Sequence, residues 1–121
     1  MKNIFFDFKR LLKAFMYSWK GLKYVFKTEV AFRQDVVLFL IGTILSFCFS
    51  IEPIHRGFMV FSLFLIILME LVNTAIEVVI DRISLEHHPL SGHAKDIGSA
   101  LVLLAIINAI FVWTTVLSTG K

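Results

Sequence analysis

One cysteine, Cys48, stands among the 121 residues, so no disulfide can close within the chain and no redox compartment follows from it. Its expected place is that of a small buried apolar side chain. The sequence has no Walker A pattern G-x-x-x-x-G-K-[ST] and no G-x-G-x-x-G. Those absences exclude the familiar phosphate-cradling loops, and any nucleotide site here has to be unusual in form. The first residues lack the short apolar core and small-residue cleavage site of a signal peptide. A helix with Lys and Arg spread along it is therefore expected there instead of a leader. Charge is sparse as well: 17% of the residues are Asp, Glu, Lys or Arg.

What fills the chain is hydrocarbon. Hydrophobic residues make up 58%, thirteen of them Phe, and the mean hydropathy is +0.83. Soluble domains are usually about 45–50% apolar, and a chain this short cannot wrap the excess inside itself. The sequence therefore reads as one integral-membrane domain over 1–121. Three apolar stretches stand out: 36–51 (VVLFLIGTILSFCFSI, bounded by Asp35 and Glu52), 57–80 and 97–117. A spanning helix needs about 20 such residues, so the expected fold is all-α with three transmembrane helices, the first of them short. Gly42, Ser46 and Ser50, and likewise Ala105 and Ala109, recur every four residues and allow close helix approach.

Eight of the twelve Lys and Arg precede the first stretch. That bias places the N-terminus and the loop 82–96 in the cytoplasm and the C-terminus outside. Over 1–34, and most clearly in 1–27, Phe5, Phe8, Leu12, Phe15, Trp19, Leu22 and Phe26 form one helical stripe beside a face of lysines. Such a helix lies in the membrane interface, or packs on a partner protein.

The segment ILMELVNTAIEVVID (67–81) carries Glu70, Asn73, Thr74, Glu77 and Asp81 inside a greasy run. At helical spacing Glu70, Asn73, Glu77 and Asp81 fall within roughly an 80° sector. Ionisable groups cost about 2.5–3.5 kcal/mol at a span's centre on insertion scales, so the stripe calls for a reason. Three stay open: interhelical polar glue, with Asn108 or a second copy as partner; an ion or proton pathway; and catalysis. For catalysis, Glu70 supplies a general base and Glu77 a carboxylate for Mg²⁺. The following loop, SLEHHPLSGHAKD (84–96), adds Lys95, suited to a polyphosphate, and three His whose spacing matches no familiar zinc site.

The runs YSWKGL (17–22), AFRQD (31–35), MELVNTAIEVVIDRI (69–83) and LSGHAKDIGSA (90–100) resemble prokaryotic diacylglycerol kinases over nearly the whole chain. The resemblance implies a homotrimeric inner-membrane enzyme that phosphorylates 1,2-diacylglycerol from MgATP, with membrane lipids around it and no nucleic acid partner. It implies Glu70 as the base with Asn73 beside it, and Glu29 and Glu77 as the carboxylates for Mg²⁺. It implies Arg10, Tyr17, Glu29, Glu77, Glu86, His88, Lys95 and Asp96 as ATP contacts, and Arg10, Ser18, Trp19, Gln34, Glu70 and Ser99 near the lipid. The family's loop often reads E-x-H-E-L-S-G-R-A-K-D, where this chain has Pro89 and His93. Relatives of the same fold phosphorylate undecaprenol; the YSWKGL and AFRQD runs look closer to the diacylglycerol branch.

Overall fold

The computed structural model describes residues 7–119, and these form four α-helices: α1 (Phe8–Thr28), α2 (Val30–Ser46), α3 (Pro53–Ile83) and α4 (Pro89–Thr119). Two compact units divide at Val30, α1 in the first and α2, α3 and α4 in the second. Phe5 and Lys2 of the expected amphipathic stripe lie outside the described residues, as does Lys121.

α1 starts where Asp7 caps it, the carboxylate accepting the Arg10 N–H at 3.1 Å. It ends at Glu29, whose backbone is extended while its N–H still bonds Val25 O. The expected helical region over 1–34 is therefore two helices, since 30–34 belong to α2. Phe8, Leu12, Phe15, Leu22 and Phe26 are exposed, and Trp19 is 62% exposed. The Lys20 ammonium lies 5.8 Å from the Tyr17 ring centroid. A helix carrying so many exposed rings beside lysines has the make-up of an interfacial helix.

The expected first span also shifts. α2 runs from Val30 to Ser46, starting six residues before Val36, and Phe47–Phe49 turn instead of continuing the helix. Cys48, expected to be buried, is exposed in that turn. Gly42 and Ser46 are buried, but Ser50 lies beyond the helix end and is exposed. Arg56 closes the turn: its Nε donates to Ser46 O at 3.2 Å and its guanidinium to Phe49 O and Ile51 O. The same guanidinium stacks 4.7 Å from the Phe47 ring centroid. Carbonyls at a helix end have no intrahelical donor, and one planar fork satisfies several of them.

Of the described helices, α3 and α4 are long and apolar enough to cross a membrane, and they contain the expected 57–80 and 97–117 stretches. The expected 84–96 loop is mostly helical. Pro89 opens α4, a position where its missing N–H costs nothing and its fixed φ favours the helix. His88 caps the start, its Nδ1 accepting the Leu90 N–H at 3.1 Å. Only Ser84–His88 separates the two helices, so they pair antiparallel. Leu63 and Ile66 of α3 meet Ala105 and Ala109 of α4, with Phe39, Leu65, Met69 and Trp113 around them. The small alanines recognised in the sequence thus face the partner helix. Trp113 Nε1 donates to Met59 O at 3.1 Å and ties the far ends together. Gly42 lets α2 approach, because a Cβ there would run into the end of Leu63.

Arg56→Ala removes the donors to Ser46 O at the end of α2 and to Phe49 O and Ile51 O beyond it. It is expected to lower stability by about 1–2 kcal/mol, read by reversible unfolding in detergent micelles. Arg56→Lys is expected to recover little, because a single ammonium lacks the fork.

Candidate functional site

The buried face of α3 changes character along its length. Met59, Leu63 and Ile66 are buried, and the same stripe continues as Glu70, Thr74, Glu77 and Asp81. Helical periodicity keeps these on one side, so the polar residues inherit the face that packs on neighbouring helices. Glu70 is 8% exposed and Thr74 is buried; Asn73 and Glu77 are half-buried; Asp81 is exposed. The stripe passes from dry to wet toward the end of α3.

Two contacts fix that stripe. Asn73 lies against Gly98 of α4, where any Cβ would strike Asn73 Oδ1. That oxygen is buried and has no hydrogen-bond donor. Asp81 Oδ1 pairs with Lys95 Nζ at 2.9 Å, both side chains about half exposed. Glu70 has the Asp35 carboxyl of α2 as a charged neighbour. Asp35 was passed over in the sequence as the polar boundary of an apolar run. The signal available for it was its place in AFRQD, now the first turns of α2. Asn108, considered as a partner for the stripe, is exposed on α4 ten residues beyond Gly98.

At the end of α3 a polar cavity of about 190 Å³ gathers Asp81, Ser84, Glu86, His87, His88, Ser91 and Lys95. It brings together Glu86, His88 and Lys95, three of the residues expected to contact ATP. The Lys95 ammonium has three donors and Asp81 Oδ1 takes one. His88 is committed through Nδ1 to capping α4, leaving Nε2 for any ligand. Asp96 and Ser99 follow on α4, both exposed, and Asp96 does not line the cavity. Gln34 is exposed on α2. Arg10, Tyr17, Ser18 and Trp19 are exposed on α1, where Ser18 Oγ bonds its own Ala14 O. Glu29 is half-buried at the end of α1.

Among the described residues no three His, Cys, Asp or Glu side chains gather into a metal cage, and the three loop His do not form one. Glu77, a half-buried carboxylate, offers hard oxygen donors of the kind Mg²⁺ takes one or two at a time. The donor set fits an ion that is otherwise held by water and phosphate.

Comparison with known proteins agrees with the recurring runs in the sequence. The pattern of the family described as prokaryotic diacylglycerol kinase matches residues 16–117. Diacylglycerol kinase of Escherichia coli K12 is 44% identical over 117 residues, 97% of this chain and 96% of that protein. The Pseudomonas aeruginosa diacylglycerol kinase is 40% identical over 109 residues, 90% of this chain and 89% of its own. That of Haemophilus influenzae is 42% identical over 107 residues, 88% and 91% of the two chains.

Gly98→Val places a branched side chain where Asn73 lies. Overpacking of this kind is expected to cost about 1–3 kcal/mol, measured by unfolding in micelles, with Gly98→Ala milder in effect.

Proposed function

Since the chain belongs to the prokaryotic diacylglycerol kinase family, we propose that it transfers the γ-phosphate of ATP to the free hydroxyl of 1,2-diacylglycerol, giving phosphatidic acid. The observation that carries this reading is the single face of α3 on which a buried Glu70 is followed by Glu77 and then by Asp81, itself paired with Lys95. A lipid alcohol stays in the bilayer while a nucleotide stays in water. An enzyme joining them needs a base at depth and its phosphate groups nearer the surface, and the rise from Glu70 to Glu77 is about 10 Å.

In this mechanism Glu70 takes the proton of the acceptor hydroxyl as that oxygen attacks the γ-phosphorus. Burial among apolar side chains keeps competing water away from it. Asn73, half-buried one turn on, keeps the carboxylate's surroundings polar. Glu77 holds Mg²⁺, and the family resemblance gives Glu29 the same task. When bound, the ion neutralises the charge spread over the transferring phosphoryl group. Lys95 supplies a cation to the phosphates, and Glu86, His88 and Asp96 flank the nucleotide, with Arg10 and Tyr17 of α1 as further contacts. Ser18, Trp19, Gln34 and Ser99, with Arg10 again, meet the lipid. Transfer of this kind is mostly positioning plus charge neutralisation, which fits a site without a Walker loop.

We place the chain in the bacterial inner membrane with α2, α3 and α4 spanning it, the N-terminus cytoplasmic and the C-terminus periplasmic, in accord with its Lys and Arg bias. A homotrimer is supported by the bareness of the spans. Only 17% of the most apolar window of α4 and 33% of that of α3 is buried within one chain, so wide apolar faces are left for lipid and for other copies.

Labelled MgATP offered in mixed micelles with diacylglycerol is expected to give labelled phosphatidic acid. Glu70→Gln is expected to stay folded and lose about 10²- to 10⁴-fold in turnover; full activity in that variant removes Glu70 as the base. Product from undecaprenol alone would keep the mechanism and change the substrate. Glu77→Gln is expected to raise the MgATP requirement, and an unchanged titration with Mg²⁺ and ATP counts against its metal role. Were the protein a scaffold, both substitutions would alter assembly and leave no rate to lose; an ion pathway would show flux in proteoliposomes without ATP.

A further inference from the structure

The mechanism above uses Arg10, Tyr17, Ser18 and Trp19 of α1 and leaves its lysines without a task. From Phe8 to Thr28 the helix contains no Asp or Glu, and the one carboxylate at its start, Asp7, accepts the Arg10 N–H. Lys9, Lys13, Lys20 and Lys23 are all exposed, and at helical spacing they fall within roughly an 80° sector. Lys9 and Lys13 are four residues apart and Lys20 and Lys23 three, spacings at which like charges repel. With no carboxylate in the helix to offset them, the favourable counter-charge has to come from outside it. Phe8, Leu12, Phe15, Trp19 and Leu22 fall within a second sector of roughly 80°, centred about 100° from the first. When those rings dip into the acyl chains, the lysines emerge along one flank of the helix, at the depth of the lipid phosphates and not out in the water. Lys9 to Lys23 covers about 21 Å of rise, room for more than one headgroup.

We propose that this lysine flank of α1 holds the phosphate of the enzyme's own lipid product, phosphatidic acid, and so makes turnover sensitive to product in the membrane. This rests on the reading of the chain as a diacylglycerol kinase. Substrate and product differ at one group: the hydroxyl is neutral, while a phosphate monoester carries about 1.5 to 2 negative charges near neutral pH. The lysines therefore tell product from substrate by charge alone. They also favour it over phosphodiester lipids, whose phosphate carries a single charge. Each ammonium offers three N–H donors, bonds between ionised partners are short and strong, and the monoester has three terminal oxygens to receive them. Trp19 is four residues before Lys23, on the side of the ring sector that borders the lysines, and in the mechanism it meets the acceptor lipid. Product retained along the flank therefore lies where the next diacylglycerol has to arrive, and it raises the apparent KM for that lipid while kcat stays as it was.

The test uses the full chain in phosphatidylcholine vesicles without nucleotide, with Trp19 as the reporter. Brominated lipids quench an indole that they touch, and Trp19→Phe gives the share of the signal that belongs to Trp113. Brominated phosphatidic acid, phosphatidylglycerol and phosphatidylcholine are compared as partial replacements of the host lipid. Phosphatidic acid is expected to quench most, with a relative binding constant about fivefold above phosphatidylcholine, the scale of one lysine at a charged headgroup. Combining Lys9→Gln, Lys13→Gln, Lys20→Gln and Lys23→Gln is expected to erase that preference, and about 0.5 M salt to weaken it. In mixed micelles with MgATP, added phosphatidic acid is expected to raise KM for diacylglycerol in the unaltered protein and not in the fourfold variant, whose rate without added product is unchanged. Equal quenching by phosphatidic acid and phosphatidylglycerol would overturn the product reading in favour of a general anionic surface. Equal quenching by all three lipids, or a preference kept in the fourfold variant, would overturn the flank as the site, and an unchanged KM would overturn the sensitivity to product. A preference indifferent to salt in the unaltered protein would do the same even if the fourfold variant fails to fold. Failure of the kinase reading shows separately, as no labelled phosphatidic acid from MgATP, which the quenching does not require.

Discussion

Everything in the second unit is arranged around the cost of placing a carboxyl group where water is scarce. A bare carboxylate in hydrocarbon is unfavourable by several kcal/mol, and Glu70 lies in the middle of the longest apolar stretch. The chain answers by turning Glu70 inward. The face of α3 that packs Met59, Leu63 and Ile66 against its neighbours also carries Glu70, so the carboxyl is turned toward the protein and not toward the acyl chains. Gly42 against Leu63 and Gly98 against Asn73 make this possible from two different helices, each leaving α3 room to lie close. Without them the helices would separate and the polar stripe would open to lipid.

The remaining contacts keep that register. Trp113 bonds Met59 at the far end of the α3–α4 pair, and Lys95 pairs with Asp81 at the near end. The first is half-buried and holds well; the second is about half exposed, so its value for stability is small and its interest lies in where it leaves the ammonium. Arg56 does for α2 what the short loop does for α4, fixing the approach to α3 by gathering the loose carbonyls of the turn.

The apolar stretches at 57–80 and 97–117 were legible because twenty consecutive greasy residues leave few alternatives, and the polar stripe was legible because its spacing is helical. The helix ends were not. Val30–Ser46 begins just before AFRQD and takes it in, a run whose charges hide the fact that a helix can start in water and continue into an apolar phase. Pro89 reads as a loop residue and serves as the first residue of α4, since both uses exploit the same fixed φ. Asp35 was the larger omission. A boundary residue seen alone is only the edge of a greasy run, and Glu70, its charged neighbour, is thirty-five residues away on another helix, beyond any local periodicity.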